Sequence, residues 1–392
     1  MDKKLKLRNT FSYYLVFVSL GLGLGMAGPA LPSLAEQTGS TLSAIGSLFL
    51  LSSFGGMLGT AISGRIYDRF ENGHRILGLA QLISAIGLVL TPLAPNLPVL
   101  LAIVFISGAP LGIINNGANT LLMWTHKKDA GPYVNGLHFS FGIGAFLAPT
   151  IFAQILKLGG TYQHTYWVLA GLGIPTALWM LFLSHSPKAP AEDAAETKDK
   201  GYLRKVMPMV VIAMLYLFFY VGAELTYGNW IYTYALEMKM ADAAQAAYLT
   251  SAFWLTFTIG RAISIYVVAR FKSEQVLAVA FIGGLSVLAL ALSSPNSISL
   301  LWATTIGVGF FMAPVWATGY NLAGQSIKLT ATISSIIILG DSFGGLVLPS
   351  LTGAAIEHLG AESMPWIVFV AFAINGLTFL AMLVQRRKFA DG

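Results

Sequence analysis

Apolar runs of about twenty residues recur twelve times in this chain and leave little room for any other fold. A helix of that length crosses roughly 30 Å of hydrocarbon, and in lipid only helices or closed barrels satisfy their own backbone. The runs fall at about 10–31, 42–64, 76–94, 98–124, 132–154, 164–183, 207–235, 246–269, 275–293, 299–325, 331–353 and 364–384. Hydrophobic residues make up 56% of the 392 and charged ones only 10%, against about a quarter charged in soluble chains. The prediction is an all-α integral membrane protein embedded in a bilayer. The first run follows Lys3, Lys4, Lys6 and Arg8, as a signal peptide would, but eleven further spans and its own glycines make it the first span.

Lysine and arginine set the orientation. With the N-terminus inside, all of the 23 but Lys157, Lys239 and Arg261 fall on the cytoplasmic side. The chain is therefore expected N-in and C-in, in a cell (inner) membrane. The net charge of +6 then reports topology and not nucleic-acid binding. With no cysteine, disulfides and thiolate metal sites are excluded. No metal site, cofactor or second protein is called for, and a monomer is expected.

Residues 184–206 form the one long polar segment, rich in Pro, Ala and charge, and read as a cytoplasmic linker. It divides the chain into a six-helix half at 1–183 and another at 207–392. The halves echo one another: "GAFLAP", Gly144 to Pro149, is followed by Gly160, and "GGLVLP", Gly344 to Pro349, by Gly360. "YDRFE" at 67–71 and "VARFK" at 268–272 end the second and eighth spans in the same way.

Twelve spans in two six-helix repeats around a cytoplasmic linker resemble the major facilitator superfamily. The loop "GRIYDRFENGHR", Gly64 to Arg75, is similar to that superfamily's Gly-x-x-x-Asp-Arg/Lys-x-Gly-Arg-Arg/Lys motif. Gly64, Asp68 and Arg69 match, while Gly73, His74 and Arg75 come two residues late. The resemblance implies a gating latch in which Asp68 caps or pairs with charge at the interface of the halves; a plain charged turn is the alternative. The second half has Ala269 in the acid's place, so any latch is one-sided. "NNGANTLLMW", "GPYVNGLHFSFGIGAFLAP" and "YVGAELTYGNWIYTYA" further resemble the fucose–hexose symporter branch, with its sodium-dependent glucose transporter-like members. That implies alternating access to a solute held near the midplane between the halves, with the first, fourth, seventh and tenth spans around the route.

Of 17 acids, only Glu224 and Asp341 lie within spans, and Arg261 is the only base to do so. A charge at mid-span costs about 2.5–3.5 kcal/mol on insertion scales, so each needs a partner, water or a proton. Glu224 shares a face of the seventh span with Tyr220, Tyr227 and Ile231. It reads as the carboxylate coupling a solute to H⁺ or Na⁺, or else as one satisfied by tyrosine hydroxyls and Asn229. Asp341 and Arg261 lie at similar depth, which permits an ion pair, structural or released by cation binding. All three ion-coupling candidates are in the second half.

Neutral polar groups mark the solute. Asn115 and Asn119 share a face of the fourth span, with Asn116 about 100° away; their amides suit vicinal hydroxyls, or serve as interhelical glue. The branch resembled often carries an acid near Asn115, so its absence moves the coupling role to Glu224. His138, Tyr227, Asn229, Trp230, Trp254 and Trp316 complete the substrate-binding candidates, since sugar C–H faces pack on indole rings while amides take hydroxyls. The expected protein is a secondary transporter, not an enzyme, moving a small hydroxylated solute such as a hexose inward. Rival readings are a proton-coupled drug or lipid exporter, whose Gly-Pro motif on the fifth span is absent, and a facilitative uniporter.

Overall fold

The computed structural model describes residues 2–70, 72–184, 186–187, 200–329 and 331–390. Fourteen α-helices account for most of them: α1 Lys3–Gly25, α2 Ala27–Thr38, α3 Leu42–Arg69, α4 Gly73–Leu90, α5 Leu97–His126, α6 Ala130–Lys157, α7 Tyr162–Phe182, α8 Lys200–Glu237, α9 Ala243–Val268, α10 Ser273–Ser293, α11 Ile298–Met312, α12 Val315–Ser326, α13 Ala331–Leu359 and α14 Ser363–Ala390. Eleven stretches have the length and hydropathy of a bilayer crossing, and the bent pair α1–α2 makes a twelfth.

Fourteen helices arise from twelve spans because two spans are broken. The first bends by 44° at Met26. Pro29 explains it: proline has no N–H to donate, and its ring clashes with the carbonyl four residues earlier, here Gly25. Pro314 does the same to Phe310 and separates α11 from α12. The expected linker is also shorter than 184–206 at its far end, because α8 is already helical at Lys200. Residues 185 and 188–199 of that linker lie outside the described residues.

The chain forms two compact units, Met1–Ala191 with Ile231–Trp254, and Glu192–Trp230 with Leu255–Gly392. One boundary, between 191 and 192, falls within the expected linker, and the other two cut α8 and α9. In the first unit α1 packs on α6, α3 on α5 and α4 on α7. Residues 231–254 join it through α6. Thr150 donates to Ser251 at 3.0 Å and Gln154 to the Tyr248 hydroxyl at 2.5 Å. The Lys157 ammonium lies 4.8 Å over the Tyr248 ring.

Helices approach closely where glycine removes the side chain. A Cβ at Gly144 on α6 would run into the carbonyl oxygen of Val18 on α1. In the second unit a Cβ at Gly344 on α13 would run into that of Phe218 on α8. Both partners are displaced by 200 residues, 144 to 344 and 18 to 218, so the repeat seen in sequence is a repeat of helix contacts. Gly144→Val or Gly344→Val has to part backbone from backbone. Each should cost on the order of 3 kcal/mol, at the upper end for overpacking, and lower the unfolding midpoint of the detergent-purified protein. Gly171→Val, where a Cβ meets nothing, should not.

In the first unit buried polar contacts are set into the apolar cluster around Tyr13 and Leu183. Tyr13 on α1 bonds His74 Nε2 at 2.8 Å, while Nδ1 faces the Leu183 carbonyl at 3.3 Å. A carbonyl only accepts, so Nδ1 carries the proton and Nε2 accepts from the tyrosine. Thr10 meets His126 at 2.6 Å, and that imidazole stacks on Tyr133.

Candidate functional site

Glu224 sits about two-thirds of the way along α8 and is only 7% exposed. One turn earlier Tyr220 is fully buried, its hydroxyl donating to the Met312 carbonyl at 3.0 Å. The Glu224 carboxylate is a second acceptor within reach of that hydroxyl. With one proton and two acceptors, the tyrosine serves one at a time.

Arg261 on α9 and Asp341 on α13 complete a cluster around Glu224. Arg261 acts electrostatically on both carboxylates, and the carboxylates act on one another. The Arg261–Asp341 contact pair permitted by the sequence does not close among the described residues. The guanidinium instead rests 4.4 Å over the Phe257 ring, one turn away on the same helix. The Trp316 indole of α12 lies beside Asp341, and Trp316 stacks on Tyr320 at 5.4 Å and 16°. Within electrostatic reach of one another, two acids thus stand against one base, an imbalance that costs more away from bulk water than in it.

The remaining second-unit candidates point elsewhere. Tyr227, 2% exposed, bonds Thr305 of α11 at 2.8 Å. Trp230 is fully buried and donates to the Pro349 carbonyl at 2.8 Å. Asn229 is half-buried between them in sequence.

In the first unit, Asn115 and His138 are exposed, His138 standing edge-on to Phe17 at 5.8 Å. Asn116 instead donates to Ser63 of α3 at 2.5 Å, and Asn119 donates back to the Asn115 carbonyl at 2.8 Å. Trp254 is buried, packed T-shaped on Phe253 and Phe141. Of the gating residues, Gly64 and Arg69 are exposed, and the Asp68 side chain lies outside the described residues. His74, read as part of the motif's basic tail, is fully buried and hydrogen-bonded as above.

Sequence reasoning missed Ser63 and Thr305. Each becomes visible only through a partner on another helix, and a lone hydroxyl in an apolar run carries no signal by itself.

The profile of the family described as Major Facilitator Superfamily matches residues 13–345. The chain is 27% identical to the sodium-dependent glucose transporter 1A of Mus musculus, over 88% of this chain and 89% of that protein. Among solved structures, that of a D323A mutant of the nucleoside transporter NupG superposes with a TM-score of 0.78 at 16% identity, covering 96% and 99% of the two chains. The E. coli fucose:proton symporter FucP superposes at 0.65 with 17% identity, covering 96% and 99%. At these identities the two structures speak for the fold.

Proposed function

Because the chain belongs to the major facilitator superfamily, a family of transporters and not of enzymes, we propose that it carries a small hydroxylated solute, a hexose or a close relative, inward by cation symport. The solute moves by alternating access, in a monomer that sits N-in and C-in in the cell membrane. One observation supports the coupling: two carboxylates within the spans, Glu224 and Asp341, lie within electrostatic reach of one guanidinium, that of Arg261. An imbalance of one charge is met by one H⁺ or Na⁺. Sodium is preferred because the relative cited above is named for sodium-dependent glucose transport.

Trp316, with Tyr320 stacked on it, offers a broad aromatic face beside Asp341. Sugars present apolar C–H faces to such rings and hydroxyls to carboxylates and amides. Asn115 and His138, both exposed, are the first-half groups proposed to meet those hydroxyls, with Asn116, Asn119, Tyr227, Asn229, Trp230 and Trp254 as the supporting shell. Gly64, Asp68 and Arg69 are proposed to gate.

The test is uptake of labelled glucose and related hexoses into proteoliposomes with an inward gradient of Na⁺, of choline, or of protons. Concentrative uptake with Na⁺ alone is the expected result. Accumulation with the proton gradient alone would transfer the coupling role to H⁺, and equilibration without accumulation in all three would leave a uniporter.

A further inference from the structure

The second unit also contains a cavity of about 370 Å³ whose lining includes Lys272 and Ser273 at the α9–α10 turn, Glu274, Asn321 and Gln325 on α12, and Arg386 on α14. That is within the range of small-molecule sites. None of these residues belongs to the charge cluster around Glu224.

The lining is polar and largely uncommitted. Glu274 is engaged by Arg386 in an ion pair, whereas Lys272 makes no ion pair among the described residues. Asn321 and Gln325 are exposed and one turn apart, and neither amide bonds the protein among the described residues. Ser273 is 5% exposed, so it is more than nine-tenths buried. Its hydroxyl lines the cavity without a partner among the described residues.

Ser273 is also the first residue of α10, a 21-residue helix. The first turn of a helix leaves N–H groups without intrahelical carbonyls and carries partial positive charge. The internal repeat supplies a control. In the first half the corresponding residues are Glu71 and Asn72, and the Asn72 side chain caps α4 by accepting from the Arg75 N–H at 3.3 Å. In the second half they are Lys272 and Ser273; the helix begins one residue earlier there, so the cap position falls on Lys272, whose side chain has no acceptor with which to cap. The same turn has thus exchanged an acid for a base; Gln275 closes back on the Lys272 N–H at 3.2 Å, and the Ser273 and Glu274 N–H groups are left without a partner among the described residues.

We propose that this cavity is a second ligand site, for a small phosphate-bearing anion. Lys272, the Ser273 hydroxyl and the α10 N-terminus take the phosphate oxygens, the combination that binds phosphate at helix N-termini elsewhere. Asn321 and Gln325 take hydroxyls on the remainder of the molecule. The positive-inside distribution assigns this end of the unit to the cytoplasm, where both phosphorylated metabolites and anionic lipid headgroups offer that chemistry. Occupancy would tie the α9–α10 turn to the ends of α12 and α14.

The full-length protein in phosphatidylcholine nanodiscs, titrated with inorganic phosphate and with glucose 6-phosphate against chloride at matched ionic strength, should show saturable thermal stabilisation. Lys272→Gln and Ser273→Ala should each weaken it about tenfold, the loss of roughly one charge-assisted hydrogen bond. Glu224→Gln should leave it unchanged. A response present in phosphatidylcholine but already saturated in phosphatidylglycerol nanodiscs makes the lipid headgroup the occupant; a response in both makes it the free anion. The absence of saturable stabilisation in phosphatidylcholine, or wild-type affinity in both variants, overturns the proposal.

Discussion

Glu224→Gln should reduce gradient-driven accumulation to simple equilibration while solute exchange across the membrane continues. Glutamine keeps the shape and hydrogen-bonding reach of glutamate and removes only its charge. The cluster then holds Arg261 against Asp341 alone, one positive against one negative. A neutral centre needs no cation to cross, so solute movement loses its link to the gradient. The effect is large: one charge moved down ~100 mV is worth about 2.3 kcal/mol, which corresponds to accumulation on the order of fiftyfold. Counterflow of labelled against unlabelled solute should keep its rate to within a few-fold. Accumulation by the variant equal to that of the wild type would remove Glu224 from the coupling mechanism.

Glu224 is legible in the bare sequence because of the solvent around it. In water an acid on a helix is ordinary, and its position says nothing. In a bilayer the same acid is so costly that its presence demands an account, and of 40 charged residues only three lie within spans. The same logic places the spans, since an apolar run of the right length has few alternatives. The repeat is legible too, because Gly144 and Gly344 are held to glycine by backbone contact.

What the sequence hides depends on rotation about helix axes. Tyr227 and Trp230 read as a sugar site because they neighbour Glu224 along the chain. Six residues turn a helix by about 600°, which leaves Trp230 roughly 120° from Glu224, and its indole goes to Pro349; Tyr227 keeps the Glu224 face, but its hydroxyl is bonded to Thr305. Asn116 meets Ser63 by a crossing of α3 and α5 that a linear reading does not contain. Pro29 and Pro314 are visible as letters. Their effect, a span broken in two, depends on a carbonyl four residues back being held in helical geometry.

Arg261→Ala is expected to destabilise the protein, and Asp341→Asn to restore it. Removing the guanidinium leaves Glu224 and Asp341 acting on each other with no positive charge named between them. Breaking a fully buried pair costs about 3–5 kcal/mol. Arg261 and Asp341 are part-exposed, so solvent screening brings the expected loss to about 2–3 kcal/mol. It should be read as a lower unfolding midpoint and a lower yield of folded protein. The double variant removes one charge of each sign and should recover most of that loss, a coupling that independent sites do not show. A different account of Arg261 is available, in which it is held for its contact with Phe257. A cation–π contact is worth about 0.5–1 kcal/mol when exposed and about 2 when desolvated. That loss would persist unchanged in the double variant. Failure of Asp341→Asn to rescue therefore removes the shared-charge reading of the cluster, and rescue ties the three residues into one electrostatic unit.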